Sequence, residues 1–223
     1  MGREVLPLTV DRLSDLPGSC ADCVFWELGP ALARRGRARP REQKEGWLTA
    51  TLLEWGSPGR VVYVDDRCAG YITYAPAHLV PRSLAFPTSP VSRDAVVLVT
   101  AHIDPEFAGQ GLGRVLVQAA AKDALRRGTR ALEAYGSSNP GDCVLPADFL
   151  SAVGFKTARE HRSYPRMRLT CVRRCAGAVR WSRRWSGCSR RCAAWHPNRP
   201  GQRTAAARTR PDGDRVHLSS TVF

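Results

Sequence analysis

The chain has 223 residues, enough for one full domain with an appendage or for two small ones. Its formal net charge of +14 is uneven: residues 1–170 hold 22 Lys/Arg against 18 Asp/Glu, whereas residues 171–223 hold 12 Arg, no Lys, and only Asp212 and Asp214. The basicity therefore belongs mostly to the tail and is a poor reason to expect the rest to bind nucleic acid; no apolar run reaches membrane-spanning length.

The opening, "MGREVLPLTVDRL", has no long apolar stretch, and Gly2 lacks the Ser or Thr that myristoylation requires downstream, so a cytoplasmic enzyme or binding protein is expected. There the eight cysteines are expected as thiols rather than as a disulfide scaffold. Residues 1–20 read as a turn-forming stretch, with Asp11 and Ser14 as capping candidates. Residues 41–55 read as an amphipathic helix with Trp47, Leu48, Thr51, Leu52 and Trp55 on one broad face. The Gly56–Gly59 stretch stops it. A hairpin follows, with strands over 60–64 and 69–75 about a turn at Asp65-Asp66-Arg67. Residues 76–93 form a Pro- and Ser-rich loop with one helical turn. "DAVVLVTAHI", residues 94–103, is a buried central strand. A glycine run leads into a helix ending at Gly128, then a strand at "RALEAYGS", a short helix ending at Gly154, and a closing hairpin. This order predicts a mixed α/β sheet with helices on both faces.

The glycine run, "PEFAGQGLGRVLVQAA", places Gly109, Gly111 and Gly113 on alternate residues where a helix opens. Each costs backbone entropy, so a close approach to the backbone is expected there. Several amides at a helix start lack intrahelical partners, and the helix dipole favours anions, so a diphosphate fits. A turn that merely packs the helix against the sheet is the alternative. The run is not an ATP-binding P-loop, because no Gly-Lys-Ser/Thr follows, and its spacing is not the dinucleotide fingerprint.

The stretch from Ala95 to Gly136 resembles the acetyl-CoA-binding core of the GNAT family of N-acetyltransferases. The family signature is Arg or Gln, two residues, Gly, one residue, then Gly or Ala; Gly111 and Gly113 match its end, while Ala108 stands at its first position. "ADFLSAVGF" resembles a later family stretch in which a helix ends in Gly-Phe, here Gly154-Phe155. The resemblance spans roughly residues 1–170 and implies a mostly antiparallel sheet with a V-shaped splay. It also implies acetyl-CoA as cosubstrate, bound by the amides of Gln110, Gly111, Leu112, Gly113 and Arg114. The strand edge carrying Val99, Ala101 and Ile103 is implied to pair with the pantetheine arm. Arg114, or Lys122, is the candidate to replace the cation missing at Ala108. The acceptor is implied to be a small-molecule or protein amine, with no metal required.

Acetyl transfer to an amine needs a neutral nucleophile, a donor to the thioester carbonyl, and a proton or positive field for the leaving thiolate. The family's usual tyrosine acid would follow Phe149, where this chain has Leu150. Tyr135 and Tyr164 are substitutes for it, and Glu133 and His102 are candidate bases. Strict alternation would put His102 on a face with Leu98 and Thr100, and Ile103 on the other with Val97, Val99 and Ala101. Glu27 is a candidate for the acceptor region. Cys20-x-x-Cys23 has redox-like or zinc-like spacing, but a single pair supplies two ligands, and buried thiols or the lining of a substrate lid are expected.

From Cys171 onward Arg, Cys, Trp, Gly and Pro dominate and no period survives. A disordered basic extension is expected, and the bias also resembles a GC-rich frame translated out of phase. Cys171, Cys175, Cys188, Cys192 and His196 have gaps wider than a zinc knuckle. The leading reading is an N-acetyltransferase. Behind it stand an acyl-CoA-binding protein without turnover and weak nucleic-acid binding through the tail. Oligomeric state is left open.

Overall fold

The computed structural model describes residues 2–17, 21–29, 39–139 and 143–171. Cys20 and the tail from residue 172, with the disorder, zinc and nucleic-acid expectations attached to them, lie outside the described residues. The strands are β1 (Arg3–Pro7), β2 (Gly59–Val64), β3 (Arg67–Ala75), β4 (Ala95–Ile103), β5 (Ala131–Ser137), β6 (Leu145–Pro146), β7 (Lys156–Arg159) and β8 (Arg166–Thr170). The helices are α1 (Pro40–Glu54), α2 (Leu112–Arg126) and α3 (Ala147–Ala152). One sheet runs β1-β2-β3-β4-β5-β8-β7, with β6 beside β5. Its pairs are antiparallel except β4–β5 and β5–β6. This is the mixed, mostly antiparallel architecture expected, with helices on both faces.

The hairpin between β2 and β3 turns on two residues, since Asp65 and Asp66 both take positive φ (48° and 64°). Short polar side chains tolerate that conformation, and its twist suits a tight hairpin. Residues 76–93 contain two 3₁₀ turns, Ala77–Leu79 and Pro81–Ala85, rather than one. The N-terminal stretch departs further from expectation. Five residues of "REVLP" become an edge strand, Val5 opposite Val62, because β2 offers an open row of backbone groups. In the 3₁₀ turn Asp11–Asp15, Asp11 caps nothing: Val10 is the N-cap, and the Ser14 hydroxyl donates to the Asp11 carbonyl at 3.2 Å.

Helix α2 lies on one face of the sheet through Leu112, Leu116, Val117, Ala120 and Ala124, packed with Val62, Ile72, Val96, Leu98 and Leu132. Each fully buried Leu contributes about 2 kcal/mol to that contact. Asp123 interrupts this apolar stripe and is satisfied from the sheet: Arg60 Nε donates to it at 2.8 Å and the Tyr74 hydroxyl donates to the same oxygen. A carboxylate placed there without both donors would be an uncompensated buried charge. Arg127, just past α2, covers the Trp55 ring with its guanidinium carbon 3.9 Å from the centroid and donates to the Trp55 and Ser57 carbonyls. The end of α2 is thereby fastened to the end of α1. On the opposite face sit two clusters, one around Leu8, Leu13, Leu48 and Tyr71, the other around Trp26, Phe86, Val97, Val99 and Tyr135.

Candidate active site

Strands β4 and β5 pair only over Ala95–Val97 with Ala131–Glu133. Beyond that, β5 stays with β8 as far as Tyr135 opposite Arg166, and takes β6 as neighbour from Gly136. The sheet therefore opens into a V. From Leu98 to Ile103, β4 keeps β3 on one side and has no strand on the other among the described residues. Unpaired N–H and C=O groups along such an edge accept an extended ligand as a substitute strand.

A bulge sits at the mouth of the V. Thr73 pairs with Thr100 and Tyr74 with Leu98, which leaves Val99 as the extra residue on β4. The bulge overturns the expected alternation. Val96 and Leu98 face α2, and so do Ala101 and Ile103, whereas Val97 and Val99 lie in the cluster on the other face. His102 is thus on the face of Val97 and Val99, stacked on Tyr71 with ring centroids 5.9 Å apart. Ala101 and Ile103 do not share a face with Val97 and Val99.

Beyond β4 the chain folds into the glycine loop. Asp104 accepts from the Glu106 amide at 2.9 Å, setting the turn Pro105–Phe107, and the Ala108 amide donates to Pro105. Gly109 (φ 79°) and Gly111 (φ 77°) are left-handed, which explains both glycines by conformation rather than crowding: a Cβ on Gly111 would meet nothing within 4 Å. Gly113 does reflect a close approach, since a Cβ there would lie 3.1 Å from the Phe149 ring. The amides of residues 109–113 make no backbone hydrogen bond among the described residues. The Arg114 amide, expected to be a further ligand donor, instead donates to the Gly111 carbonyl at 3.1 Å. A run of free amides at a helix N-terminus is an anion cradle.

Two arginines lie near this loop, in which Ala108 stands at the position of the family's basic residue. Arg3 on β1 donates to the Gln110 side chain at 3.5 Å, which puts an exposed guanidinium beside the cradle. Arg114 is half-buried in the first turn of α2. Lys122, ten residues along the helix from Leu112, is about 15 Å away by helical rise and serves no purpose at the cradle.

The candidate catalytic residues are not gathered in one place. Tyr135 is buried in the wall of the V, its ring stacked on Phe86 (centroids 4.3 Å, planes 13° apart) and on Trp26 (6.3 Å). Its hydroxyl makes no well-formed hydrogen bond. Burial raises its pKa, opposed by the neighbouring Ser89 and by Arg166. The Thr73 hydroxyl, beside the bulge, is also buried with no partner among the described residues. His102 belongs to the β3 side, three residues past the bulge and so about 10 Å along the strand toward the cradle.

Glu133 is fully buried and held by Arg168 (2.8 Å), Arg166 (3.4 Å) and the Ser92 amide (3.1 Å). Burial alone would raise its pKa, but the Ser92 and Arg168 hydrogen bonds and the Arg166 charge bring it below the ordinary value. Arg168 is engaged in turn by Asp94 at 2.7 Å. Glu27 likewise is committed to a buried ion pair with Lys44. Next to Phe86 lies a cavity of about 220 Å³ lined by Phe25, Arg82, Cys143 and Tyr164. Tyr164 meets the Phe86 ring edge-on at 5.4 Å. Among the described residues no group of three His, Cys, Asp or Glu is arranged to hold a metal ion, and no helix is long and apolar enough to cross a membrane.

Sequence reasoning missed Arg3, Thr73 and Phe86, and it read Trp26 mostly as core with an aromatic acceptor pocket as the alternative. None belongs to a local motif, and each reaches the site only through sheet pairing or tertiary packing.

The sequence pattern of the acetyltransferase (GNAT) family matches residues 24–141. A search of the curated proteins finds no significant match. Among solved structures, the chain resembles the PaiA N-acetyltransferase from Thermoplasma acidophilum in complex with coenzyme A (14% identity, TM-score 0.51, 76% of this chain and 99% of that one). It also resembles yncA, a putative acetyltransferase from Salmonella typhimurium with acetyl-CoA (15%, 0.51, 80% and 99%). A third is the ribosomal-protein-alanine N-acetyltransferase from Brucella melitensis (17%, 0.51, 75% and 99%). At these identities the likeness is one of fold.

Proposed function

Because the chain belongs to the acetyltransferase (GNAT) family, we propose that it transfers an acetyl group from acetyl-CoA to an amine by direct attack on the thioester. The observation that carries the reading is the pairing of two features: five adjacent unengaged amides, 109–113, and the open edge of β4 that leads away from them into the V. The amides bind the diphosphate, and Arg3 and Arg114 add positive field. The β4 edge, through the backbone at Val99, Ala101 and Ile103, orients the pantetheine arm toward the bulge. The cosubstrate supplies an acyl group already activated as a thioester.

Tyr135 is assigned as proton donor to the departing sulfur. It stands on the V opposite the bulge, and its phenol, protonated at neutral pH like any phenol, is kept so at more alkaline pH because burial raises its pKa. The neutral amine adds to the carbonyl carbon, the C–S bond breaks as the sulfur takes the Tyr135 proton, and the proton lost by the acylated nitrogen passes through solvent to restore the phenol. His102 flanks the β4 edge nearer the cradle, which suits binding better than proton removal. Glu133, neutralised by two arginines, is a poor base. The acceptor amine therefore arrives unprotonated.

A second reading, acyl-CoA binding without turnover, is favoured by one observation: Leu150, where the family's tyrosine is expected, is fully buried and offers no proton. The test separates the two. Calorimetry with coenzyme A measures binding, and free-thiol release from acetyl-CoA over a panel of small amines and peptide N-termini measures turnover. Binding with turnover supports the transferase, binding without turnover supports the second reading, and no binding overturns both.

A further inference from the structure

The CxxC spacing of Cys20 and Cys23 draws attention to a local pair, but the partner the fold gives Cys23 is remote. Cys23 Sγ lies 3.9 Å from Cys143 Sγ, across 120 residues of sequence. The two segments are registered by more than the sulfurs: the Trp26 indole donates to the Cys143 carbonyl at 2.8 Å, and Lys44 Nζ donates to the Cys23 carbonyl at 3.0 Å. Lys44 is itself fixed by its buried ion pair with Glu27. Both thiols are half-buried, so a small oxidant reaches them. The other described cysteines differ. The Cys68 and Cys171 thiols donate to backbone carbonyls, and burial raises both their pKa values, Cys171 to about 11.

We propose that Cys23 and Cys143 form a reversible disulfide that staples the Trp26-bearing segment to the chain entering β6, beside the cavity under Phe86. The sulfurs need to close from 3.9 Å to a bond of about 2.05 Å, which side-chain rotation with a small backbone adjustment achieves.

The chemistry has a nucleophile ready. Cys23 is acidified to about 6, chiefly by the hydrogen bond from Cys143 and further by the Phe25 amide and Lys44, against the opposing effects of burial and Glu27. A thiolate at neutral pH is the reactive form. With a peroxide as oxidant, the Cys23 sulfur attacks one oxygen, the O–O bond breaks, and water leaves after protonation. The Cys143 sulfur then attacks the resulting sulfenic sulfur, the S–S bond forms, the S–O bond breaks, and a second water carries away the Cys143 proton. Two thiols lose two electrons and the peroxide is reduced to two waters. A dithiol reductant reverses the step.

The staple closes a loop between residues 120 apart in sequence and fixes one wall of the cavity, since Cys143 lines it and Trp26 stacks on Phe86 at 5.2 Å. Oxidation is expected to raise the thermal midpoint by roughly 5 °C, because a long closed loop restricts the unfolded chain.

The full chain, reduced and then exposed to hydrogen peroxide, tests this without any transferase assay. Trypsin under non-reducing conditions releases residues 13–34, holding Cys20 and Cys23, and residues 131–156, whose one cysteine is Cys143. The expected product is these two peptides joined, minus two hydrogens, and separated by dithiothreitol. The joined species persists in Cys20→Ser and disappears in Cys23→Ser and in Cys143→Ser. At pH 7, iodoacetamide labels Cys23 at least tenfold faster in the wild type than in Cys143→Ala, which lacks the donor. A Cys20–Cys23 bridge, pairing of Cys143 with Cys20 in the wild type, or survival of both thiols in excess peroxide overturns the proposal.

Discussion

Val97 of β4 and Glu133 of β5 are the last residues paired in the parallel register between the two strands. Continued two positions further, that register would set Val99 against Tyr135. There β4 bulges while β5 keeps only β8 as its partner, so the two residues lie on either side of the opening while sharing one apolar cluster. Arg168 of β8 donates to Glu133 of β5 at 2.8 Å just before β4 and β5 part.

Tyr135→Phe keeps the ring stack on Phe86 and removes only the hydroxyl. The expected result is a fall of about 100-fold in kcat with little change in the KM for acetyl-CoA, measured by thiol release. The sign of the pH effect follows from the raised phenol pKa. The donor form is present below that value and lost above it, so the alkaline limb of kcat lies above the ordinary phenol value of about 10 and vanishes in the variant.

Gly111→Val forces a β-branched residue into a left-handed conformation at φ 77°. The strain is about 2 kcal/mol, relieved by reshaping the cradle. Coenzyme A affinity measured by calorimetry is expected to drop at least tenfold while the far-ultraviolet circular dichroism spectrum is kept. Gly113→Ala presses on the Phe149 ring instead and is expected to act more through stability than through affinity.

Glu133→Ala leaves Arg166 and Arg168 facing a buried void, at a cost of about 3 kcal/mol in denaturant unfolding. Because the folded-state pKa of Glu133 is depressed, its contribution is present above the unfolded carboxylate value of about 4.3 and is lost as pH falls through the lower folded value. The difference in stability between wild type and variant should shrink over that acidic window. If Glu133 is structural, as its partners imply, Glu133→Gln retains most of the per-molecule transferase activity.

Arg3→Ala removes an exposed cation beside the cradle. Coenzyme A affinity is expected to weaken roughly threefold at low salt, with the difference fading above about 0.5 M salt, where exposed charges are screened.

Much of this fold is written locally. Helix α1 announces itself through Trp47, Leu48 and Thr51 and through the glycines after Trp55; β4 does so through a run of β-branched residues; α2 is bracketed by Gly111 and Gly128. The glycine loop was readable for the same reason, because its special backbone demands special residues. What stayed hidden depends on partners distant in sequence. Nothing in "REVLP" marks a strand until β2 lies beside it. Glu133 reads as a candidate base until β8 brings Arg166 and Arg168 to it. Cys23 invites pairing with Cys20 until the fold delivers Cys143. The bulge at Val99 leaves no trace in "VVLVTAHI", since any of its residues fits an extended chain.

That single extra residue also governs how β4 tolerates change. Deleting Val99 would remove the bulge yet keep every later residue on its present face and opposite its present β3 partner, whereas forcing the full-length strand into unbroken alternation would turn everything after Val99 over by half a turn. Ala101 and Ile103 would leave the α2 layer and His102 would be driven into it, against Leu116 and Val117. Loss of the bulge with all nine residues retained is therefore far more disruptive than loss of Val99 itself. The strand's pairing, as much as its composition, carries the information.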